Sequence, residues 1–227
     1  MTSRASARRR RTDAEDDGMA VALDPRTRRA IAAYGPVAHR YRDEVRLRRP
    51  VADARRFAAF ARRDDLVLDV GCGPANDLRM LRDAGLHPVG IDLSAGVLTE
   101  ARTLLPRHPL VMADLTDPPF VDRSFHGLWM SGALTHLARD RWVPVLTRLF
   151  RLLAHGPVYF TCLRGDADLQ PFRDPLLGEV AVSAAPEDEV ERMLSALGVV
   201  DLTVDVRPNV RFDRRVPAVV ALGRLRG

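Results

Sequence analysis

Residues 66–75 read Leu-Val-Leu-Asp-Val-Gly-Cys-Gly-Pro-Ala, and residues 89–92 read Val-Gly-Ile-Asp. The first stretch is an apolar run of strand length that carries an acid and enters a glycine-rich loop, after which a helical pattern begins. The second stretch is another apolar run that ends in an acid. A strand, a glycine loop, a helix and a second strand form the βαβ unit that binds nucleotides in doubly wound proteins.

The rest of the chain continues this alternation of strands and helices. Further strands are predicted at residues 110–113, 128–131 and 158–162, with helices at 77–84, from Ser94 to about 104, and at 140–154. The segment from Arg164 to Pro186 is interpreted as a long loop. A helix then begins at Pro186, and strands at 202–206 and 216–222 have no room for a helix between them, so they should pair antiparallel. The pattern predicts an α/β fold, a Rossmann-like three-layer sandwich with a mostly parallel sheet.

The N-terminal region precedes this core. Residues 1–20 are interpreted as a disordered arginine-rich tail, and residues 21–227 as a single domain. Within that domain, residues 21–62 carry a helical pattern that Gly35-Pro36 interrupts. These extra N-terminal helices are interpreted as a lid over the binding site.

The composition limits the chemistry and the compartment. All 35 Lys plus Arg residues are arginine, so no Schiff-base or lysine-base chemistry is available, and the net charge is +5. The arginines are interspersed with acids, which favours a solvated surface over a nucleic-acid stripe. Two cysteines are too few for a disulfide framework, and no apolar run has the length of a membrane span. A cytoplasmic protein without membrane association is expected.

The residues of the glycine loop distinguish between two cofactors. Gly71 and Gly73 permit a tight turn and a close ligand approach. Asp69, just before the loop, would repel a pyrophosphate but can accept a hydrogen bond from an ammonium group. A dinucleotide fingerprint also needs a third glycine three residues after Gly73, where the chain has Asn76. The loop therefore favours S-adenosylmethionine, although Ala75 replaces the glycine that such a loop usually carries.

Two further acids fall where that cofactor would need them. Asp92 can accept hydrogen bonds from the ribose hydroxyls, and the alternative is an acid that flanks the Ser94 helix cap. Asp114 could accept from the adenine amine with Val97 and Leu115 beside the ring, and the alternative is a solvated turn residue. The other predicted cofactor contacts are Tyr41, Cys72, Leu93, Ala113 and Ser131.

On these motifs, together with Ala113-Asp114-Leu115 and the stretch 128–137, the chain resembles the class I S-adenosylmethionine-dependent methyltransferases. It is most similar to the small single-domain branch of the ubiquinone and menaquinone biosynthesis type, over residues 30–222. The resemblance implies a seven-stranded sheet in the order 3-2-1-4-5-7-6, with strand seven antiparallel. The chain departs from the family pattern at Ala75, at His126 and in the turn at 154–157. The last two departures are interpreted as structural.

The sequence also offers candidate residues for binding the methyl acceptor and for catalysis. His136 is the candidate general base or acceptor-positioning residue, and a helix cap or a structural position is the alternative. Tyr34, Arg164 and Arg173 are further candidates for acceptor binding, the arginines for an acidic acceptor. No cluster of metal-ligand spacing is present, so no metal is predicted.

The expected function is methyl transfer to a small-molecule acceptor by in-line displacement, from a monomer or homodimer. An RNA methyltransferase that uses the arginine tail and a non-catalytic S-adenosylmethionine-binding protein are the alternatives.

Overall fold

A computed structural model describes residues 23–46, 50–166, 169–211 and 214–226. The proposed tail at residues 1–20 lies outside these ranges. The helices are α1 (Pro25–Tyr34), α2 (Ala38–Arg46), α3 (Val51–Ala59), α4 (Asn76–Asp83), α5 (Ala95–Leu104), α6 (Trp142–Arg151) and α7 (Glu187–Ala196). The strands are β1 (Leu66–Val70), β2 (His87–Asp92), β3 (Leu110–Met112), β4 (Leu128–Ser131), β5 (Gly156–Leu163), β6 (Leu169–Asp174), β7 (Gly178–Val182), β8 (Val199–Arg211) and β9 (Arg214–Leu225).

The central sheet has seven strands in the order β3-β2-β1-β4-β5-β9-β8. The pairs among β1 to β5 are parallel, whereas β9 is antiparallel to both β5 and β8. The expected class and the expected antiparallel end of the sheet are confirmed, with β9 and β8 in the places of predicted strands seven and six. The order reverses between β1 and β4, where ligands of open α/β sheets bind outside the carboxyl ends of the strands.

The prediction of a long loop before Pro186 was wrong. A separate two-stranded hairpin, β6–β7, occupies this segment. Its turn is held by Asp174, whose carboxylate accepts hydrogen bonds from the backbone N–H groups of Leu176 and Leu177 at 2.8 and 2.9 Å. Val180 and Val182 alternate on one face of β7 and are both buried. The prolines of this segment obscured the strand pattern because proline cannot donate to a sheet ladder.

The two faces of the central sheet bury different helices. Val67, Trp129 and Tyr159 lie on the face that packs against α3 and α4. Leu68, Leu128 and Phe160 lie on the opposite face, against α6 and α7. Side chains alternate between faces along a strand, so Asp69 of β1 points to the same side as Val67, where it lines a cavity together with Val51 and Asp53 of α3.

The N-terminal helices reach the carboxyl-end edge of the sheet across α5. A 3₁₀ turn at Gly35–Val37 separates α1 from α2, at the expected interruption. Gly96 of α5 lies so close to this turn that a Cβ atom there would be 3.1 Å from the Cα atom and from the carbonyl oxygen of Gly35. The Arg42 guanidinium also donates to Glu100 of α5 at 2.7 Å. Main-chain contact and an ion pair therefore fix α2 over the edge of the sheet.

The N-terminus of α5 is capped as the sequence predicts. The Ser94 hydroxyl accepts a hydrogen bond from the backbone N–H of Val97 at 3.5 Å, and Ser94 is buried. Replacing Ser94 with alanine should lower the free energy of unfolding by about 1 kcal/mol, because one helix N–H loses its acceptor. Urea denaturation measures this difference. Ser195→Ala, at an exposed position late in α7, is the matched control and should leave the midpoint nearly unchanged. Equal stability of the two variants would contradict the capping role.

Candidate functional site

The glycine loop after β1 adopts a left-handed backbone at three positions. Gly71 and Gly73 have φ angles of 66° and 54°, and Ala75, the residue before α4, has a φ of 65°. The alanine thus keeps the backbone conformation of the glycine it replaces, at the energetic cost that a Cβ atom brings in this region. The turn directs the first backbone N–H groups of α4 toward the carboxyl ends of the strands, where a negative group is favoured.

Asp92 joins the end of β2 to this loop. One of its carboxylate oxygens accepts from the backbone N–H of Gly73 at 3.0 Å, and the other accepts from that of Ser94 at 2.9 Å. Burial raises the pKa of the Asp92 carboxyl, and the hydrogen bonds from these N–H groups partly offset the shift. Each carboxylate oxygen can accept more than one hydrogen bond, so the group can still bind hydroxyl groups of a ligand.

Asp69 is a buried acid whose hydrogen bonding is incomplete. Its side chain is 1% exposed, and its Oδ2 atom is buried without a hydrogen-bond partner. Burial, followed by the negative charges of Asp77 and Asp92, raises the pKa of the Asp69 carboxyl well above its ordinary value. A buried carboxylate oxygen without a partner is unfavourable unless a cation or a donor reaches it. The position is thus suited to an ammonium group of a bound ligand.

A cleft runs along the carboxyl ends of β1, β2 and β3 and is roofed by α1 and α2. Most of the predicted cofactor and acceptor residues line it: Tyr34, Tyr41, Gly71, Gly73, Asp92, Leu93, Val97, Ala113, Asp114, Leu115, Ser131 and His136. Asp114 also forms a local turn, since its carboxylate accepts from the backbone N–H of Thr116 at 2.8 Å. The turn that the alternative interpretation expected is therefore present, and the contact of Asp114 with adenine stays a prediction.

A second cavity, of about 530 Å³, begins on the other side of the point between β1 and β4 where the strand order reverses. It shares Tyr41, Gly71, Gly73, Ser131 and Gly132 with the cleft, and it contains the predicted residues Asp69 and Cys72. The volume lies within the usual range for small-molecule sites. The two spaces meet at the glycine loop and at the end of β4, which is where a ligand that spans both would have its centre.

Sequence reasoning missed an ion pair in the second cavity. Arg207 of β8 donates from one nitrogen to both carboxylate oxygens of the buried Asp53 in α3, at 2.9 and 2.8 Å. Its other terminal nitrogen donates to Asp205 at 2.8 Å, and these two hydrogen-bonded carboxylates raise the pKa of Arg207. Arg207 and Asp53 are 154 residues apart, so no local pattern could reveal the pair.

The two predicted acceptor arginines lie elsewhere. Arg164 is exposed just after β5 and donates to Glu187 at 2.8 Å. Arg173 is exposed on β6, next to Glu179 of β7 in the hairpin register. Neither lines the cleft or the second cavity. Their role in acceptor binding therefore stays a prediction that this geometry does not support.

Tyr34 and His136 meet at the roof of the cleft. The Tyr34 hydroxyl is 3.2 Å from His136 Nε2, and His136 Nδ1 is 3.2 Å from the carbonyl oxygen of Ala181 in β7. Tyr34 also packs edge-on against Tyr41, with ring centroids 4.8 Å apart. The helix α1, the segment after β4 and the β6–β7 hairpin thus converge on one imidazole.

Neither a metal centre nor a membrane span is found in the described part of the chain. Among the residues that the structure describes, no group of three or more His, Cys, Asp or Glu side chains could hold a metal ion. Of the helices within the described ranges, none has both the length and the apolar character of a membrane span.

The fold is of the doubly wound α/β type, and the cleft opens where the strand order of its sheet reverses. Residues 67–156 match the family model described as a methyltransferase domain. Over this stretch, which contains the glycine loop, Asp92 and Asp114, the chain is similar to methyltransferase domains.

Individual relatives differ in the acceptor that their names specify. Malonyl-[acyl-carrier protein] O-methyltransferase of Enterobacter lignolyticus is 35% identical over 147 residues, which cover 64% of this chain and 58% of the relative. Demethylmenaquinone methyltransferase of Clavibacter sepedonicus is 33% identical over 115 residues, or 49% of this chain and 45% of the relative. The chain thus spans about half the length of these relatives.

A solved structure shows the same fold over most of both chains. The 1,6-didemethyltoxoflavin-N1-methyltransferase of Burkholderia thailandensis, crystallised with 1,6-didemethyltoxoflavin and S-adenosylhomocysteine, superposes with a TM-score of 0.64 at 19% identity. The match covers 90% of this chain and 92% of the other. At this identity the likeness concerns the fold alone.

Proposed function

We propose that this protein transfers a methyl group from S-adenosylmethionine to a small-molecule acceptor by in-line displacement. The observation that carries the proposal is the unpartnered, buried Oδ2 atom of Asp69 beside a glycine loop that Asp92 ties to β2. The ligand that this arrangement favours has an ammonium group at one end and hydroxyl groups at the other, as S-adenosylmethionine does.

The two ends of the cofactor fit different parts of the site. Asp92 would bind the ribose hydroxyls, and Asp114 with Val97 and Leu115 would hold the adenine ring in the cleft. The methionine end would pass over the glycine loop toward Asp69, between Tyr41 and Ser131, which belong to both cavities. The sulfonium would then lie near the junction of the two spaces.

For this reaction the protein mainly has to position the two reactants. The bound sulfonium supplies a methyl group that is already activated for displacement. The protein has to hold an acceptor in line behind it and exclude water, which α1 and α2 do as a roof over the cleft. His136 is proposed as the general base or positioning group of this step. Acceptor size is limited by the cavities, and this favours a metabolite or a natural-product intermediate.

The same proposal assigns the protein to the cytoplasm. Cys72 and Cys162 are both free and buried, as suits a reducing compartment. A monomer or a homodimer remains the expected state.

Isothermal calorimetry with S-adenosylhomocysteine tests the proposal, and NAD is the comparison ligand because it fits the same fold class. We expect saturable binding of S-adenosylhomocysteine and no binding of NAD, since Asp69 would face the pyrophosphate. Transfer of label from S-adenosylmethionine to a small-molecule extract of the host cells then tests catalysis. Preferential binding of NAD would overturn the assignment, and binding without transfer to any compound would leave a cofactor-binding protein instead of an enzyme.

A further inference from the structure

The two ring nitrogens of His136 have different partners, and this fixes the tautomer. The Ala181 carbonyl oxygen can only accept a hydrogen bond, so His136 Nδ1 carries the proton in the 3.2 Å contact between them. In the neutral ring, Nε2 is then an acceptor, and the Tyr34 hydroxyl donates to it across 3.2 Å. The neutral imidazole can therefore take a proton from Tyr34.

The carbonyl that fixes this tautomer is itself held in place. Ser183, two residues beyond Ala181, donates its backbone N–H to the Thr135 carbonyl at 2.8 Å and its hydroxyl to the Leu137 carbonyl at 2.6 Å. The Arg26 guanidinium in α1 donates to the same hydroxyl at 3.2 Å. The residues on either side of His136 are thus bonded to Ser183, the residue that directly follows the strand that carries its acceptor.

The hydrogen-bonded pair also faces the place where methyl transfer would occur. Tyr34 and His136 line the cleft together with Gly71, Ser131 and Gly132, and these last three residues border both cavities. Both ring nitrogens of His136 have partners, so a proton that leaves an acceptor in the cleft would reach Nε2 by way of the Tyr34 hydroxyl.

We propose that Tyr34 and His136 form a proton relay, and that the acceptor is a molecule methylated on an acidic hydroxyl, of the phenol or enol type. This inference rests on the proposed function and specifies its acceptor. The acceptor oxygen forms a bond to the methyl carbon as the carbon–sulfur bond breaks, and that electron pair stays on sulfur. The acceptor proton moves to the Tyr34 oxygen while the Tyr34 proton moves to Nε2, which leaves a neutral tyrosine and an imidazolium that donates to Ala181.

The type of hydroxyl follows from proton affinities. A carboxylate is already deprotonated at neutral pH and has no use for a base. A phenol has the same intrinsic acidity as a tyrosine side chain, so the two groups can exchange a proton without a large energetic step. An aliphatic alcohol is far less acidic and would be poorly matched to an imidazole. The aromatic edges of Tyr34 and Tyr41 also suit a flat acceptor ring.

The chemical stability of the methylated product reports the class of acceptor directly. A small-molecule extract of the host cells is incubated with the protein and S-adenosylmethionine labelled in the methyl group. We expect the label to survive mild alkali and to be released as methyl iodide by hot hydriodic acid, as an aryl or enol ether requires. Release of labelled methanol by alkali identifies a methyl ester and overturns the inference while the proposed function stands. Label that resists both treatments indicates methylation on carbon or nitrogen and also overturns it.

Two conservative variants test the relay. Tyr34→Phe retains the ring and removes only the hydroxyl, and His136→Gln can still donate to Ala181. Each should lower kcat with the labelled pool about 100-fold and leave the Kd for S-adenosylhomocysteine within about twofold of wild type. His87→Gln, at an exposed histidine at the start of β2, is the control and should retain wild-type kcat. An unchanged kcat in Tyr34→Phe would overturn the relay. A wild-type protein that does not bind S-adenosylhomocysteine would overturn the proposed function itself.

Discussion

The Asp92→Ala variant should bind S-adenosylhomocysteine about 10- to 100-fold more weakly than the wild-type protein. Hydrogen bonds to a charged acceptor contribute about 1.5–3 kcal/mol each, and a tenfold change in Kd corresponds to about 1.4 kcal/mol. The ribose offers two hydroxyl groups to this carboxylate, so the expected loss falls in that range even if only one bond is strong. Calorimetric titration gives the Kd directly.

The same carboxylate also accepts from the backbone N–H groups of Gly73 and Ser94, so its removal changes the loop as well as the ligand contact. Urea denaturation of the ligand-free variant separates the two effects. Asp83→Ala, at an exposed acid at the end of α4, is the control for loss of a carboxylate and should bind normally. If Asp92→Ala and Asp83→Ala bind with the same Kd as wild type, the ribose assignment is wrong.

Binding of S-adenosylhomocysteine should release protons below the raised pKa of Asp69, and Asp69→Asn should reduce this release to the share that Asp92 contributes. The pKa of Asp69 is raised in the ligand-free protein, chiefly by burial, so part of the population is protonated below that pKa. A ligand ammonium stabilises the carboxylate and displaces that proton. Affinity should therefore rise with pH until the raised pKa of Asp69 is passed. It should fall again at alkaline pH, where the α-amino group of the ligand loses its charge.

Calorimetry in buffers of different ionisation enthalpy counts the protons released, from about pH 5 to about pH 8. Asn has nearly the same shape as Asp but cannot carry the charge. We therefore expect the Kd of Asp69→Asn for S-adenosylhomocysteine to rise about 30-fold at neutral pH, and its affinity to depend less on pH on the acidic side. Asp64→Asn, at an exposed acid shortly before β1, is the matched control. A wild-type protein that binds with no proton release at any pH in this range would show that the ammonium does not contact Asp69.

The part of the site that could be predicted from the sequence is the part that is local in the chain. The glycine loop, Asp69 and Asp92 lie within 24 residues, and the strand order of a βαβ unit places them together by a general rule. The cap at Ser94 and the interruption at Gly35 depend on only a few neighbouring residues, and both are present in the structure.

What could not be predicted depends on distant pairs. The contact of His136 with Ala181 needs the β6–β7 hairpin, which the prolines and Asp174 made resemble a loop. The Asp53–Arg207 pair joins an N-terminal helix to the penultimate strand of the chain. The role of Gly156 was also invisible from sequence: its φ is 121°, and a Cβ atom there would lie 2.0 Å from the carbonyl oxygen of His126. This contact explains why the turn before β5 keeps a glycine although its other residues depart from the family pattern.

The close approach of Gly35 to Gly96 has a consequence for how such a protein can acquire new substrates. The joint between the two N-terminal helices rests on α5 through main-chain atoms, and α5 begins just after Asp92. In the proposed function Asp92 binds the methyl donor, so substitutions elsewhere in α1 can reshape the roof of the cleft while this contact is kept. Evolution can alter one partner of the reaction while the other is kept, which accords with the variety of acceptors that the names of its relatives record.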